Sequence, residues 1–338
     1  MNRALVIGAS GFVGLAVVDA LLAAGVQVRA TRRRRSFTVL LRRRPVELVE
    51  ADLHDPPALR RAMDGCEAVF MVAGHYPRYS LDPEGEIARG VRTVRHVCDA
   101  ALEAGGARLI FTSSTGSLAP APAGRAADER DVPAQMPTDS VYRAVKWALE
   151  DEVAAARRRG LDAVTLLPGG CVGPHDVRVG TQAFLVGVAR GEMPWWVDGL
   201  VHLVDVDEVA RAHVQAARLD SPAPRYCLPG QPWRAGELLR FVAGRYGGRV
   251  PPERLTPVEA RARADREERE AAPRRARVPL PRALVDLITT GQPIASTSAE
   301  RDLGFVPEPI DGALDRAHAW FARNGYLRAA PAAATEGA

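Results

Sequence analysis

Lysine is almost absent from this chain: of 45 cationic residues, 44 are Arg and one, Lys146, is Lys. Arg and Lys replace one another on most surfaces, but not where a compact ammonium must fit a confined polar site. A chain that writes Arg elsewhere and keeps one Lys marks that position, chance being the plain alternative. Cysteine is also scarce. Cys66, Cys98, Cys171 and Cys227 are scattered with no CxxC pair, which argues against a zinc knuckle or disulfide framework and suits a reducing, cytoplasmic setting. No apolar run reaches the ~18–20 residues that span a bilayer, and Arg3 leads straight into a strand-like segment. Neither a membrane span nor secretion is expected. Aromatics make up 6% of the residues, and the 45 bases face 41 acids, so no stacking platform or basic face for nucleic acid is evident. What is present is 338 residues, 47% apolar and 25% charged, enough for one large or two intimate domains.

The first part of the chain alternates between two periods. Ala4–Ile7 is a short, wholly apolar run, as in a strand buried on both faces of a parallel sheet. A glycine-rich turn and a helix to about Ala24 follow, then strands at 26–31, 46–51, 68–73, 108–112 and 163–167. Helices are expected at 57–63, 86–104 and 140–159. This alternation predicts an α/β fold with a doubly wound parallel sheet. After Pro168 the pattern loosens: 184–190 and 236–246 read as helices and 201–206 as a strand. Asp205 and Glu208 read as a capping box for a helix to about Leu219; with no His at ligand spacing, no metal site is expected. The densely charged stretch 253–277 reads as a solvated helix or mobile flap, and 329–338 as a disordered small-residue tail. The expected division is residues 1–168, with 201–219 returning to them, followed by a smaller, mostly C-terminal domain over 169–328.

Three constellations carry chemistry. Gly8-Ala9-Ser10-Gly11-Phe12-Val13-Gly14 sits between a strand and a helix, where glycines permit a tight turn and helix N–H groups receive a pyrophosphate. At the end of strand two, where an acid bonds the ribose of NAD, stands Arg32, followed by Arg33. A guanidinium fork grips a 2′-phosphate that an acid would repel, so NADP(H) is favoured over NAD(H); an exposed basic turn is the bland alternative. Asp52, followed by Leu53, is placed to bond adenine or to close an ordinary turn. Tyr142 and Lys146, at i and i+4 on a helix, share one face. A neighbouring ammonium favours phenolate, as a proton-transfer group requires. Thr112-Ser113-Ser114 lies upstream at a strand end where substrate would enter.

With these residues in order, the chain to about Leu327 resembles an extended short-chain dehydrogenase/reductase of the NAD-dependent epimerase/dehydratase superfamily. The dihydroflavonol reductase and 3β-hydroxysteroid dehydrogenase-like branch is the nearest. Further matching pieces are Ala51-Asp52-Leu53, Pro168 to Pro174, Val201 to Asp207 and Leu303 to Pro307. The resemblance implies a Rossmann domain followed by a substrate domain, and a catalytic group of Ser114, Tyr142 and Lys146. It puts Gly8, Ser10, Gly11, Phe12 and Val13 along the pyrophosphate, Ala73 beside the cofactor at the end of strand four, and Pro168 and Val172 near the nicotinamide. Two departures stand out: Gly90-Val91-Arg92-Thr93 where many relatives carry an Asn, and Gly74-His75-Tyr76-Pro77 after strand four.

Substrate contacts are expected from His75, Tyr76, Tyr79, Thr181, Phe184, Trp195 and Trp196; a Trp in the second domain's core is the alternative for the last pair. No cluster is obviously set for a nucleotide diphosphate, although Arg178, Arg190 and Arg225 are available. Similarity to hopanoid-associated epimerase-type proteins keeps lipid and sterol substrates open. The expected activity is NADP(H)-dependent interconversion of a ketone and a secondary alcohol on a fairly apolar small molecule. Alternatives are a sugar or nucleotide-sugar epimerase or dehydratase that recycles its cofactor, and a cofactor-sensing binding protein without turnover. Retention of Tyr142 and Lys146 argues against the last. The partners expected are a small-molecule substrate and, as an open option, a second copy of the chain.

Overall fold

Ala4, Leu5 and Val6 are fully buried and Ile7 nearly so because both faces of their strand are covered. In the computed structural model, which describes residues 1–75, 82–274, 276, 278 and 280–327, this is an inner strand of the main sheet. The strands in chain order are β1 (Arg3–Ile7), β2 (Gln27–Arg32), β3 (Glu47–Glu50), β4 (Ala68–Met71), β5 (Arg108–Thr112), β6 (Ala163–Pro168), β7 (Gly170–Val172), β8 (Trp195–Val197), β9 (Leu200–Asp205), β10 (Arg225–Leu228), β11 (Gln231–Arg234) and β12 (Glu253–Leu255). The helices are α1 (Phe12–Ala23), α2 (Pro56–Met63), α3 (Pro83–Ala104), α4 (Val141–Arg158), α5 (Ala183–Arg190), α6 (Val206–Arg218), α7 (Ala235–Tyr246), α8 (Pro257–Ala271), α9 (Arg282–Thr289), α10 (Thr297–Leu303) and α11 (Asp311–Arg323).

Seven parallel strands run in the order β10-β6-β5-β4-β1-β2-β3. Alternation along each strand sends Leu5, Ile7, Val69, Met71, Leu109 and Phe111 to the side covered by α2, α3 and α4. Ala4, Val6, Phe70 and Ile110 go to the other side, under α1 and α6. Each fully buried large side chain is worth ~1.5–3 kcal/mol relative to exposure, which is why these short strands need no polar face. This is the doubly wound α/β fold, with a smaller C-terminal lobe.

Beyond Pro168 the expected helices and strand are present as α5, α6, α7 and β9, but their arrangement holds features the sequence did not signal. The segment 201–219 divides: α6 packs on the main sheet, whereas β9 joins a separate sheet ordered β11-β9-β7. The main sheet's outer strand is instead β10, which pairs with β6. Asp205 does cap α6, accepting from the Asp207 N–H at 3.0 Å, but Glu208 accepts from the Glu308 N–H at 2.9 Å and closes no capping box. The charged stretch is not solvated throughout. Ala260 and Ala264 of α8 are fully buried against Trp195, Val197, Val285 and Ile288, because alanines four residues apart make a smooth stripe on an otherwise charged helix. The expectation for 329–338 lies outside the described residues.

Candidate active site

The glycine turn is built by close approach. Gly8 has φ +91°, and a Cβ there would stand 2.6 Å from the Ala73 backbone nitrogen at the end of β4. A Cβ on Gly14 would stand 2.2 Å from the Gly8 carbonyl oxygen. Only glycine lets β1, α1 and the end of β4 meet here. Gly11 is the N-cap of α1, with no side-chain cap and no acid in the first turn. The helix's positive end, at Phe12 and Val13, therefore faces outward beside Ser10 without a protein carboxylate to neutralise it. This donor set and cradle fit a dinucleotide pyrophosphate.

At the sheet edge, Arg32 Nη2 lies 3.1 Å from Glu50 Oε2 on the neighbouring strand, opposite which it is registered. Arg33 is exposed, and its backbone N–H donates to Ser36 Oγ at 2.9 Å. Asp52 Oδ1 accepts from the His54 N–H at 2.9 Å, closing its own turn, while the Leu53 carbonyl meets His96 Nδ1 at 2.8 Å.

The hydroxyl, phenol and amine come from two elements. β5 ends at Thr112, and Ser114 caps the short turn that follows, its Oγ accepting from the Gly116 N–H at 3.1 Å. α4 carries Tyr142 and Lys146 one turn apart, both buried, with Lys146 Nζ 6.0 Å from the Tyr142 ring centroid. A Cβ on Gly116 would stand 3.2 Å from Tyr142 Cε1 and 3.4 Å from Ser114 Oγ, so the tyrosine ring and the serine hydroxyl flank the same glycine. Lys146 Nζ is 3.5 Å from the Ser113 carbonyl oxygen. Burial pushes its pKa down to about 8, against the opposing pull of the Glu150 carboxylate.

A cavity of about 910 Å³ opens from this group. Phe12, Ser114 and Tyr142 are on its wall with Gly169 and Gly170, just past Pro168; Thr181, Phe184, Trp196, Leu238, Leu284 and Ile288 line it from the C-terminal lobe. Val172 is fully buried beside this wall in β7.

Not every candidate reaches the cavity. Trp195 is absent from its lining: it is 1% exposed, its indole N–H donates to Glu267 Oε1 at 3.0 Å, and Arg263 stacks on its ring. Successive residues of a strand point to opposite faces, so when Trp196 faces the cavity Trp195 faces the core under α8. His75 is likewise outside the lining and bonds Glu86 of α3. Tyr76 and Tyr79 lie outside the described residues. Of the three spare arginines, Arg178 lines the cavity, Arg190 pairs with Glu192 at 2.6 Å, and Arg225 pairs with Glu150 at 2.7 Å. Two residues escaped sequence reasoning. Gln292 lines the cavity and its side-chain amide clamps Ala119 O and Ala121 N, both at 2.9 Å. Glu150 carried a signal, its place one turn beyond Lys146.

Sheet order, glycine cradle and the buried tyrosine–lysine pair define the class as dinucleotide-binding oxidoreductases. Residues 4–226 match the model of the NAD dependent epimerase/dehydratase family, and the chain belongs to that family. It is 31% identical over 334 residues to sterol demethylase protein B of Methylococcus capsulatus, covering 96% of this chain and 99% of that one. A Synechocystis sp. protein, provisionally named dihydroflavonol 4-reductase, is 29% identical over 331 residues, covering 96% and 95%. Among solved structures, a nucleoside-diphosphate-sugar epimerase from Pseudomonas aeruginosa superimposes with a TM-score of 0.83 at 26% identity, covering 97% of this chain and 99% of its own. The chain is thus an NAD(P)-dependent oxidoreductase of the reductase and epimerase type, and its family binds a nicotinamide cofactor. Among the described residues no helix is long and apolar enough to cross a membrane.

Proposed function

We propose that this protein is an NADP(H)-dependent reductase or dehydrogenase that interconverts a ketone and a secondary alcohol on a fairly apolar small molecule. The observation that carries the reading is the cavity of about 910 Å³, which sets Ser114 and Tyr142 against a wall containing Phe184, Trp196, Leu238 and Leu284. The apolar part of that lining suits a ring system. Of the three arginines suggested for a diphosphate, Arg190 and Arg225 are paired outside it, while Arg178 lines it together with Arg143.

When bound, the cofactor supplies or takes up the hydride. Gly8, Ser10, Gly11, Phe12 and Val13 would hold its pyrophosphate; Arg32 and Arg33 the 2′-phosphate; Asp52, Leu53 and Ala73 the adenosine side; and Pro168 and Val172 the nicotinamide end. Ser114 donates a hydrogen bond to the substrate oxygen, where negative charge develops during reduction. Tyr142 passes its phenolic proton to that oxygen, and the Lys146 ammonium favours the phenolate left behind. In the alcohol-to-ketone direction the same groups run in reverse. Residues 1–168 with α6 and β10, together with Val172 of β7, serve the cofactor in this scheme, and the remaining lobe serves the substrate.

The test is a panel of cyclic and short aliphatic ketones supplied with NADPH, following loss of the reduced-nicotinamide absorbance. Continuous loss is expected, with bulky apolar ketones outperforming short ones, because remote apolar contacts aid orientation at the reacting carbon. Tightly copurified cofactor, isomerisation of a nucleotide sugar and no net NADPH loss would replace this reading with epimerisation, which the Pseudomonas aeruginosa likeness favours.

A further inference from the structure

Behind the Ser114–Tyr142–Lys146 group lies a polar connection that leads away from the cavity. Ser113 directs three groups to two elements, β6 and α4. Its N–H donates to the Leu166 carbonyl of β6 at 2.8 Å, its carbonyl oxygen lies 3.5 Å from Lys146 Nζ, and its hydroxyl donates to Glu150 Oε1. Glu150 is on α4, one turn beyond Lys146. Its other carboxylate oxygen accepts from Arg225 Nη2 at 2.7 Å, and Arg225 Nη1 donates to the Glu129 carbonyl at 2.5 Å. Both ends of this ion pair are largely shielded, with side-chain exposures of 15% for Arg225 and 12% for Glu150. One carboxylate therefore ties α4 to the end of β5 and to the outer strand β10.

We propose that Glu150, anchored by Arg225, is a positioning residue for the catalytic group: it seats the strand end bearing Ser114 against α4 and presents a carboxylate to Lys146. The inference rests on the function proposed above for that group.

The geometry asks for such a residue. The Ser114 hydroxyl and the Tyr142 ring come from different elements yet flank one glycine, so a small sliding of α4 along the sheet would separate them. A charge-assisted bond from Glu150 to the residue directly before Ser114 resists that sliding. It also places a negative charge near a buried amine. Among the described residues, charged groups on the elements packed against α4 pair with one another. On the segment after β4 and on α3, His75 and Arg89 both meet Glu86. Farther along the α3 and α4 contact, Arg95 meets Glu152 and Arg159 meets Asp99. On β10, Arg225 meets Glu150 itself. Glu150 is the group whose field acts to keep Lys146 protonated.

Lys146 is the chain's single lysine, so carbon-13 lysine labelling gives one side-chain ε signal whose shift can be titrated in the full-length protein without substrate. Glu150→Gln should lower the proton affinity of Lys146 roughly tenfold. The double variant Glu150→Gln/Arg225→Met, which leaves no unpaired buried cation, should show the same fall. An unchanged midpoint in either variant overturns the proposal. With a ketone that is turned over, kcat of Glu150→Gln should fall and its alkaline limb move to lower pH while KM stays within about twofold. A uniform loss at every pH with the limb in place also overturns it. A shifted Lys146 midpoint in a protein that reduces no ketone supports the positioning role and counts against the reductase reading alone.

Discussion

Arg32 reaches across the edge of the sheet to Glu50, Nη2 to Oε2 at 3.1 Å, so the cation at the end of β2 has a carboxylate beside it. A 2′-phosphate held there would share Arg32 with Glu50 or draw it away, and the two residues should influence cofactor choice in opposite directions. Arg32→Ala combined with Arg33→Ala should weaken NADPH binding by ~2–4 kcal/mol, with much less effect on NADH. Glu50→Gln should tighten NADPH. Fluorescence titration of both cofactors measures this, and equal affinity of the unaltered protein for NADPH and NADH would sink the NADP(H) assignment.

Tyr142→Phe should abolish turnover while cofactor affinity stays nearly intact, because it removes the transferable proton and little else. Ser114→Ala should lose ~2–4 kcal/mol of transition-state stabilisation, the usual scale for one oxyanion donor. Steady-state kinetics with an active ketone decides both. Turnover of Tyr142→Phe at the unaltered rate would discard the mechanism.

Lys146 should cost the cofactor-free protein stability. Its pKa is about 8 in the fold, against an ordinary 10.5. Below pH 8 the amine is charged in both states and the native state bears the burial penalty. Between about pH 8 and 10.5 the unfolded chain keeps the proton that the native state has released, so native stability rises with pH. Lys146→Met should therefore stabilise the protein at pH 7 by about 1–3 kcal/mol, and the advantage should shrink towards pH 10.5. Urea midpoints of both proteins at the two pH values test the sign. A variant less stable at pH 7 contradicts it.

Trp195 and Trp196 should separate cleanly. Trp195→Ala empties a core position under α8 and should destabilise the fold by about 3–5 kcal/mol. Trp196→Ala, at a half-buried position, should cost less stability than Trp195→Ala and raise KM for bulky ketones. Reversed behaviour would mean that the cavity wall has been misassigned.

Much of this protein was legible before its structure, because the signals are local. The apolar run Ala4–Ile7, the glycines from Gly8 to Gly14, and the i,i+4 spacing of Tyr142 and Lys146 each act within a few residues, where backbone geometry alone sets the outcome. The four-residue strand Arg225–Leu228 had no such signal: it is a strand because β6 offers it a free edge. Trp195 and Trp196 are chemically identical neighbours, and only the helix packed on one side of β8 makes one core and the other cavity wall. Burial of Ala260 and Ala264 depends in the same way on that helix finding β8 and α9. The Arg32 and Glu50 pair, and the bonds that join Ser113, Glu150 and Arg225, connect positions 18 to 75 residues apart. Sequence by itself determined which chemical groups the chain carries and which local elements hold them. Strand register and helix packing decided which of those groups meet, because contacts between distant segments follow from burying whole faces together and leave no periodicity in the chain.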